Sequence, residues 1–214
     1  KKRLRDQQGA LLRRLGATAS GLWVDGASTR QRHATVLAIC VQETAPGIGT
    51  DAADALALLH DWSTLATEAV AGAGGRLLQM QGDGAVAVFE AAGAGGERAA
   101  AQAAARAERE WRAMLAQLDA DGRAAGRAPL AASAGLASGV LTIGSLATAA
   151  GPQPVAIGRP LHAASRLATH AAATASAALA DAATAALLDA AVSADAAVRL
   201  TGANEGDGPV FRLR

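Results

Sequence analysis

GGRLLQMQGDGAVAVFE, Gly74 to Glu90, sets a single acid between two glycines, and those glycines between two apolar runs. Gly-Asp-Gly between apolar segments of strand length is turn chemistry, so the stretch reads as a β-hairpin with Asp83 at its tip. On that reading Asp83 is a turn residue and nothing more. The other reading makes it half of a metal site, whose second half must come from elsewhere in the chain.

Upstream, ATVLAICVQ (Ala34 to Gln42) is a continuous apolar run of strand length, expected to be buried on both faces. The loop ETAPGIG leads to Thr50, a suitable N-cap, and to a helix that stops at Gly74 and Gly75. Downstream of the hairpin, GERAAAQAAARAEREWRAMLAQLDADGRAAG is a long helix with Trp111, Met114, Leu115 and Leu118 on one stripe. PLAASAGLASGVLTIGSL reads as strand, turn and strand, because its spaced glycines break any helix. QPVAIG adds a short strand, and RPLHAASRLATHAA a helix opened by Pro160. An Ala-rich helix is expected to about Ala191, with VRLTG and VFRLR as a closing hairpin. That order is βαββαβ, an α/β (α+β) ferredoxin-like sheet with helices on one face. In front of it, Lys1 to about Leu22 reads as a helix, followed by the turn-rich linker VDGASTRQRH. The expected organisation is an N-terminal helix and linker over 1–32 and one domain over 33–214.

Composition narrows the function classes. The chain of 214 residues is 51% hydrophobic but only 2% aromatic and has no Tyr, so Ala, Leu and Val must fill the core. A formal charge of +1 argues against a general nucleic-acid or membrane-surface binder. Its one cysteine, Cys40, excludes an internal disulfide and fits a reducing compartment. No apolar run is long enough to span a bilayer and no signal peptide is evident, so a cytoplasmic location is expected. The opening KKRLRDQQGALLRRL holds six basic residues and one acid. A solvated helix start is the plainer account; a segment just inside a membrane is the other. The chain begins without Met, which leaves room for an upstream sensor or membrane domain.

Five landmarks in order carry a family resemblance: the basic segment, TVLAICV, GG with QGDGAVAVF, LAASAGLASGVLTIGS, and VAIGRPLHAASRL. From about His33 onward the chain resembles the catalytic domain of class III nucleotidyl cyclases, the adenylate and guanylate cyclase family. The resemblance implies a chemistry in which the ribose 3′-hydroxyl attacks the α-phosphate in line and pyrophosphate leaves. Two divalent ions, Mg²⁺ or Mn²⁺, are bridged by two carboxylates of adjacent strands, because charge builds on phosphoryl oxygens. A lysine and a second polar residue read the base. An Asn and an Arg on the signature helix of the partner subunit orient the ribose and stabilise the pentavalent phosphorus. Such a site works only as a dimer.

Transferred onto this sequence, the first metal aspartate falls on Cys40 and the second on Asp83. The base-reading positions fall on Gln79 and Val155, the transition-state Asn on His162 and the transition-state Arg on Arg166. Two of these six residue types are kept, at Asp83 and Arg166, and four are changed. Cys40 in an apolar run behaves as a small hydrophobe rather than an active thiol. Glu43, three residues on, points to the other strand face and does not replace it. His162 and His170 share a helix side but lack the further ligands of a zinc site. Gly135, Gly139 and Gly144 mark close backbone approach rather than a phosphate loop.

The leading expectation is a degenerate cyclase-homology domain of bacterial type, without activity and without a cofactor, serving as a dimerisation or regulatory module in signal transduction. The alternatives are a diverged active cyclase using Mg²⁺ or Mn²⁺, and a small-molecule or nucleotide sensor using the vacated cleft. A homodimer is expected, with weak nucleotide binding and no nucleic-acid partner. Leu136, Val140, Leu141, Ile143 and Leu146, in a segment free of charge from Pro129 to Gly151, are expected to form the apolar surface that meets the second chain.

Overall fold

The computed structural model describes residues 29–43, 52–148, 151–188, 192–198 and 209–213. The expected N-terminal helix, the loop with Thr50 and most of the closing VRLTG segment lie outside the described residues. Among the described residues eight strands and four helices follow in the order β1 (Arg30–Glu43), α1 (Ala52–Gly72), β2 (Arg76–Gln81), β3 (Gly84–Glu90), α2 (Gly96–Ala124), β4 (Leu130–Thr148), β5 (Gly151–Ile157), α3 (Arg159–Ala173), β6 (Ala178–Asp181), α4 (Ala182–Leu188), β7 (Val192–Val198) and β8 (Val210–Leu213). The strands form one sheet in the order β2-β3-β1-β4-β6-β8-β7, with β5 paired to β4. Its first four members are the antiparallel βαββαβ unit expected from the sequence, and β6 then joins β4 in parallel.

The helices of that unit do share one face. On α1, Trp62, Ala66, Ala69 and Val70 recur at helical spacing, and on α2 Ala100, Ala104, Trp111 and Leu115 do the same. Both sets pack on Leu37, Ile39, Ala87 and Phe89 of the sheet. The third long helix, α3, follows that unit and lies on the other face of the sheet. Its Ala164, Leu167, Ala168 and Ala171 cover Ala34, Val36 and Ala38 on the opposite side. The reason lies in β1: Ala34 to Ile39 are all buried, and a strand apolar on both faces needs cover on both.

Four local expectations are corrected. Arg30–His33 are strand rather than linker, because pairing to β4 continues from Ala34↔Gly139 out to Arg30↔Ile143. Leu130–Thr148 is one strand with no internal turn. Its glycines make room instead: a Cβ on Gly135 would lie 2.1 Å from the carbonyl oxygen of Ala164 in α3. Ala178–Asp181, expected as Ala-rich helix, is the strand β6, which buries Ala178, Leu179 and Ala180 between β4 and β8. Finally, Leu136, Leu141 and Ile143 are fully buried in their own domain, so only Val140 of the described members of that apolar set is exposed, at 55%.

A polar thread ties the sheet to the short helix α4. The buried hydroxyls of Thr35, Ser138 and Thr184 are linked at 2.8 Å each, across β1, β4 and α4. Asp181 caps α4 by accepting from the Thr184 backbone N–H at 2.8 Å. Buried hydroxyls cost stability unless paired, and these three pair with one another. Among the described residues no helix is long and apolar enough to cross a membrane.

One buried charge gives the stability a pH dependence. Glu108, on α2, is 1% exposed. Its Oε2 accepts from Arg112 Nη2 at 3.2 Å, while Oε1 lies 3.2 Å from Arg112 Nε without an aligned hydrogen bond. Burial therefore outweighs the ion pair: it pushes the carboxyl up to about 7, with Arg112 and Arg109 pulling it back. A folded-state value above the unfolded one favours the protonated carboxyl. The stabilisation is complete below the unfolded value near 4.5 and is lost as pH rises through about 7. From this group alone, unfolding free energy is expected to fall by about 3 kcal/mol between pH 4 and pH 8. In Glu108→Gln that component should vanish, leaving the variant the more stable protein at pH 8. Thermal midpoints at the two pH values check this.

Candidate functional site

The hairpin that opened the reading forms as expected. Gln81 pairs with Gly84, so Gly82 and Asp83 make a two-residue turn. Gly82 has φ 51°, the left-handed value that glycine adopts at the first central position of such turns. The turn is then anchored to β1: Val41 N–H donates to the Asp83 carbonyl at 2.7 Å, and Cys40 stands opposite Gly84. This register brings together Cys40 and Asp83, the two residues on which the resemblance places the metal ligands. Cys40 Sγ donates to Asp83 Oδ2 at 3.6 Å.

The chemistry of that pair differs from that of two carboxylates. Burial first, and then the neighbouring Asp83 carboxylate and its hydrogen bond, push the Cys40 thiol up to about 11. At neutral pH it is a protonated thiol, and only the thiolate is a metal ligand. Mg²⁺ and Mn²⁺ select oxygen donors, whereas a sulfur ligand suits soft ions. The residues present therefore do not fit a pair of hard divalent cations. Among the described residues there is also no group of three or more His, Cys, Asp or Glu side chains placed to hold a metal.

Gln79, on β2 beyond a register shift, joins Cys40 on the wall of a cavity of about 240 Å³. Ser165 and Thr169 of α3 form the other wall. Sequence reasoning passed over these two residues, although their i, i+4 spacing beside the signature motif places them on one helix face. Both hydroxyls donate back to helix carbonyls, of Leu161 and Ser165 respectively.

The remaining positions lie elsewhere. His162 is exposed in the first turn of α3. Arg166, one turn on, lines a different cavity of about 370 Å³ with Ser138, Arg159 and Asp181. Val155 is half-buried on β5, opposite Gly144 of β4. Within the chain, then, Cys40 meets Asp83 and shares a cavity with Gln79, while His162, Arg166 and Val155 do not join them.

A sheet of this order, with a hairpin turn bearing an acid against the end of β1, makes a mixed α/β domain. The fold is that of class III adenylyl and guanylyl cyclase catalytic domains. The adenylyl cyclase CyaB from P. aeruginosa superposes with a TM-score of 0.74 at 19% identity, over 87% of this chain and 96% of that one. The guanylyl cyclase Cya2 gives 0.70 at 16% identity, over 88% and 93%. The guanylate cyclase domain of RhGC from Catenaria anguillulae, in complex with GTP, gives 0.69 at 17% identity, over 86% and 98%. No protein-family model matches the chain, and no curated protein matches it in sequence.

Proposed function

We propose that this domain keeps the cyclase fold without the cyclase reaction and serves as a dimerising, regulatory module in signal transduction. The observation that carries the reading is Cys40 Sγ at 3.6 Å from Asp83 Oδ2, a sulfur where the chemistry needs a second carboxylate. Gln79 and Val155 at the base-reading positions, and His162 at the ribose position, support it. The separate placing of Arg166 supports a site shared between two chains rather than one closed within a chain. So does the size of the Cys40–Gln79 cavity, about 240 Å³. Small-molecule sites usually measure about 300–1,000 Å³, so this cavity by itself is small for a nucleotide.

With most of the β4 set buried in its own domain, the dimer rests on Val140 and Ile157, 55% and 64% exposed, on the β4 and β5 arm. Light scattering at micromolar concentration should return twice the chain mass of 21.2 kDa. In parallel, Mn²⁺ titrated into the wild type should show no saturable binding by electron paramagnetic resonance, whereas Cys40→Asp should bind it. A monomer at every concentration would remove the dimerising role, and tight Mn²⁺ binding by the wild type would remove the silent one.

The second reading, a small-molecule sensor, draws on the same cavity. Gln79, Ser165 and Thr169 give it a polar wall beside the apolar floor of Ala38 and Ala85. A ligand bound only by the native state raises the thermal midpoint, so a nucleotide panel distinguishes the sensor from an empty scaffold.

A further inference from the structure

The cavity between Cys40, Gln79 and helix α3 has a wall whose hydrogen-bonding character is set by where its protons already go. Ser165 Oγ donates to the Leu161 carbonyl at 3.0 Å, and Thr169 Oγ1 to the Ser165 carbonyl at 3.1 Å. A hydroxyl has one proton, so these two residues have only lone pairs left to offer a ligand. Cys40 is in the same condition, because its Sγ donates to Asp83 Oδ2 at 3.6 Å. Of the polar side chains that line the cavity, only the Gln79 carboxamide keeps a donor, and it carries an acceptor beside it.

The charges have the same bias. No Lys, Arg or His is among the cavity's lining residues. Asp83 is exposed at its edge, one residue before Gly84 of the lining, and the side chain that donates to its carboxylate is a thiol. Held up to about 11, by burial first and by Asp83 second, that thiol brings no positive charge to the pair. The rest of the lining is apolar: Ala38, Ile39, Ala85, Val86 and Ala168 form a floor against which a hydrocarbon body sheds water. An acceptor-rich wall over an apolar floor, next to a carboxylate, suits N–H donors and positive charge on a compact body. Phosphate oxygens would meet acceptors and a like charge there.

From this arrangement we infer that the cavity takes a small organic cation, an ammonium or amidinium compound, with its N–H groups toward Asp83, Ser165 and Thr169 and its body on Ala38 and Ala85. The inference rests on the sensor reading of this cavity and gives that reading its ligand class, a compact cation in place of a nucleotide. At about 240 Å³ the cavity falls below the usual range of about 300–1,000 Å³ for larger ligands, a space that a compact molecule does not need.

The test uses the whole chain, ¹⁵N-labelled, and three probes of one shape: benzamidine, a cation; benzamide, a neutral molecule; and benzoate, an anion. At neutral pH and constant ionic strength, benzamidine should shift the Gln79 side-chain amide and the backbone signals of Cys40 and Gly84 saturably. Benzamide should bind at least tenfold more weakly, and benzoate should leave those signals unmoved. Asp83→Asn keeps the shape and removes the charge, so it should weaken benzamidine at least tenfold and leave benzamide unchanged. Ser165→Ala, on an exposed residue of α3, should weaken benzamidine several-fold with an unaltered circular dichroism spectrum, and so tests the site without touching the hairpin. Equal binding of benzamide or benzoate at these signals would overturn the cation and leave the sensor standing. Silence from all three probes would also overturn the cation, and silence from the nucleotide panel as well would take the sensor reading with it. Benzamidine shifts confined to residues outside the cavity, or unweakened in both variants, would overturn the site.

Discussion

Incubated with ATP or GTP and either Mg²⁺ or Mn²⁺, the protein is expected to release no cyclic AMP or cyclic GMP above the level of its Asp83→Ala variant. Two carboxylates close together hold two divalent ions because each offers hard oxygen donors and negative charge. Here one of the two positions is a thiol pushed up to about 11, 3.6 Å from the remaining acid. Groups that act together in one transition state do not contribute additively, and removing one member can cost on the order of 10⁴-fold or more. Cys40→Asp alone should rebuild the metal pair but not turnover, because Gln79, Val155 and His162 would still stand at the base and ribose positions. Cyclic nucleotide made by the wild type in excess of the Asp83→Ala background would establish the alternative, a diverged cyclase working through Asp83 and Arg166.

Gly135→Ala should be the most damaging small substitution in the sheet. The added Cβ would lie 2.1 Å from Ala164 O, 2.5 Å from Ala168 N and 2.6 Å from Leu167 Cβ. Two of those three contacts are to helix backbone, which cannot turn aside as the end of a long side chain can. Overpacking of a core typically costs about 1–3 kcal/mol, and a clash with backbone should reach the top of that range or pass it. Gly139→Ala is the built-in comparison: its Cβ would meet only the edge of the Pro160 ring, at 3.0 Å, and should cost about 1 kcal/mol. Urea unfolding midpoints rank the two. Equal losses would mean that α3 shifts freely over β4 and that Gly135 does not set its seat.

Much of this molecule was legible in the chain, and the reasons are local. The Gly82-Asp83 turn follows from the left-handed conformation that glycine adopts cheaply between two apolar runs. The long helix α2 follows from Trp111 and Leu115 at helical spacing, and the entry of α3 from Pro160. The placing of Cys40 beside Asp83 rested on motif order, and the register of β1 with β3 produces it.

Other features depend on partners distant in sequence, and local pattern does not specify those. The alanines of ATASAALADAA favour helix in the local pattern; β6 exists because β4 and β8 offer it hydrogen bonds on either side. The glycines of β4 read as breaks in sequence, yet in the fold they are the floor on which α3 lies. The same strand buries Leu136, Leu141 and Ile143 against its own helices, residues that the family resemblance and the absence of charge assigned to a second chain. Cys40, Gln79, Ser165 and Thr169 lie far apart in sequence and line one cavity only through strand pairing and the packing of α3 on the sheet. Turns and helix ends are decided by the residues that make them, whereas sheet order, facing and cavities are decided by pairing across the whole chain.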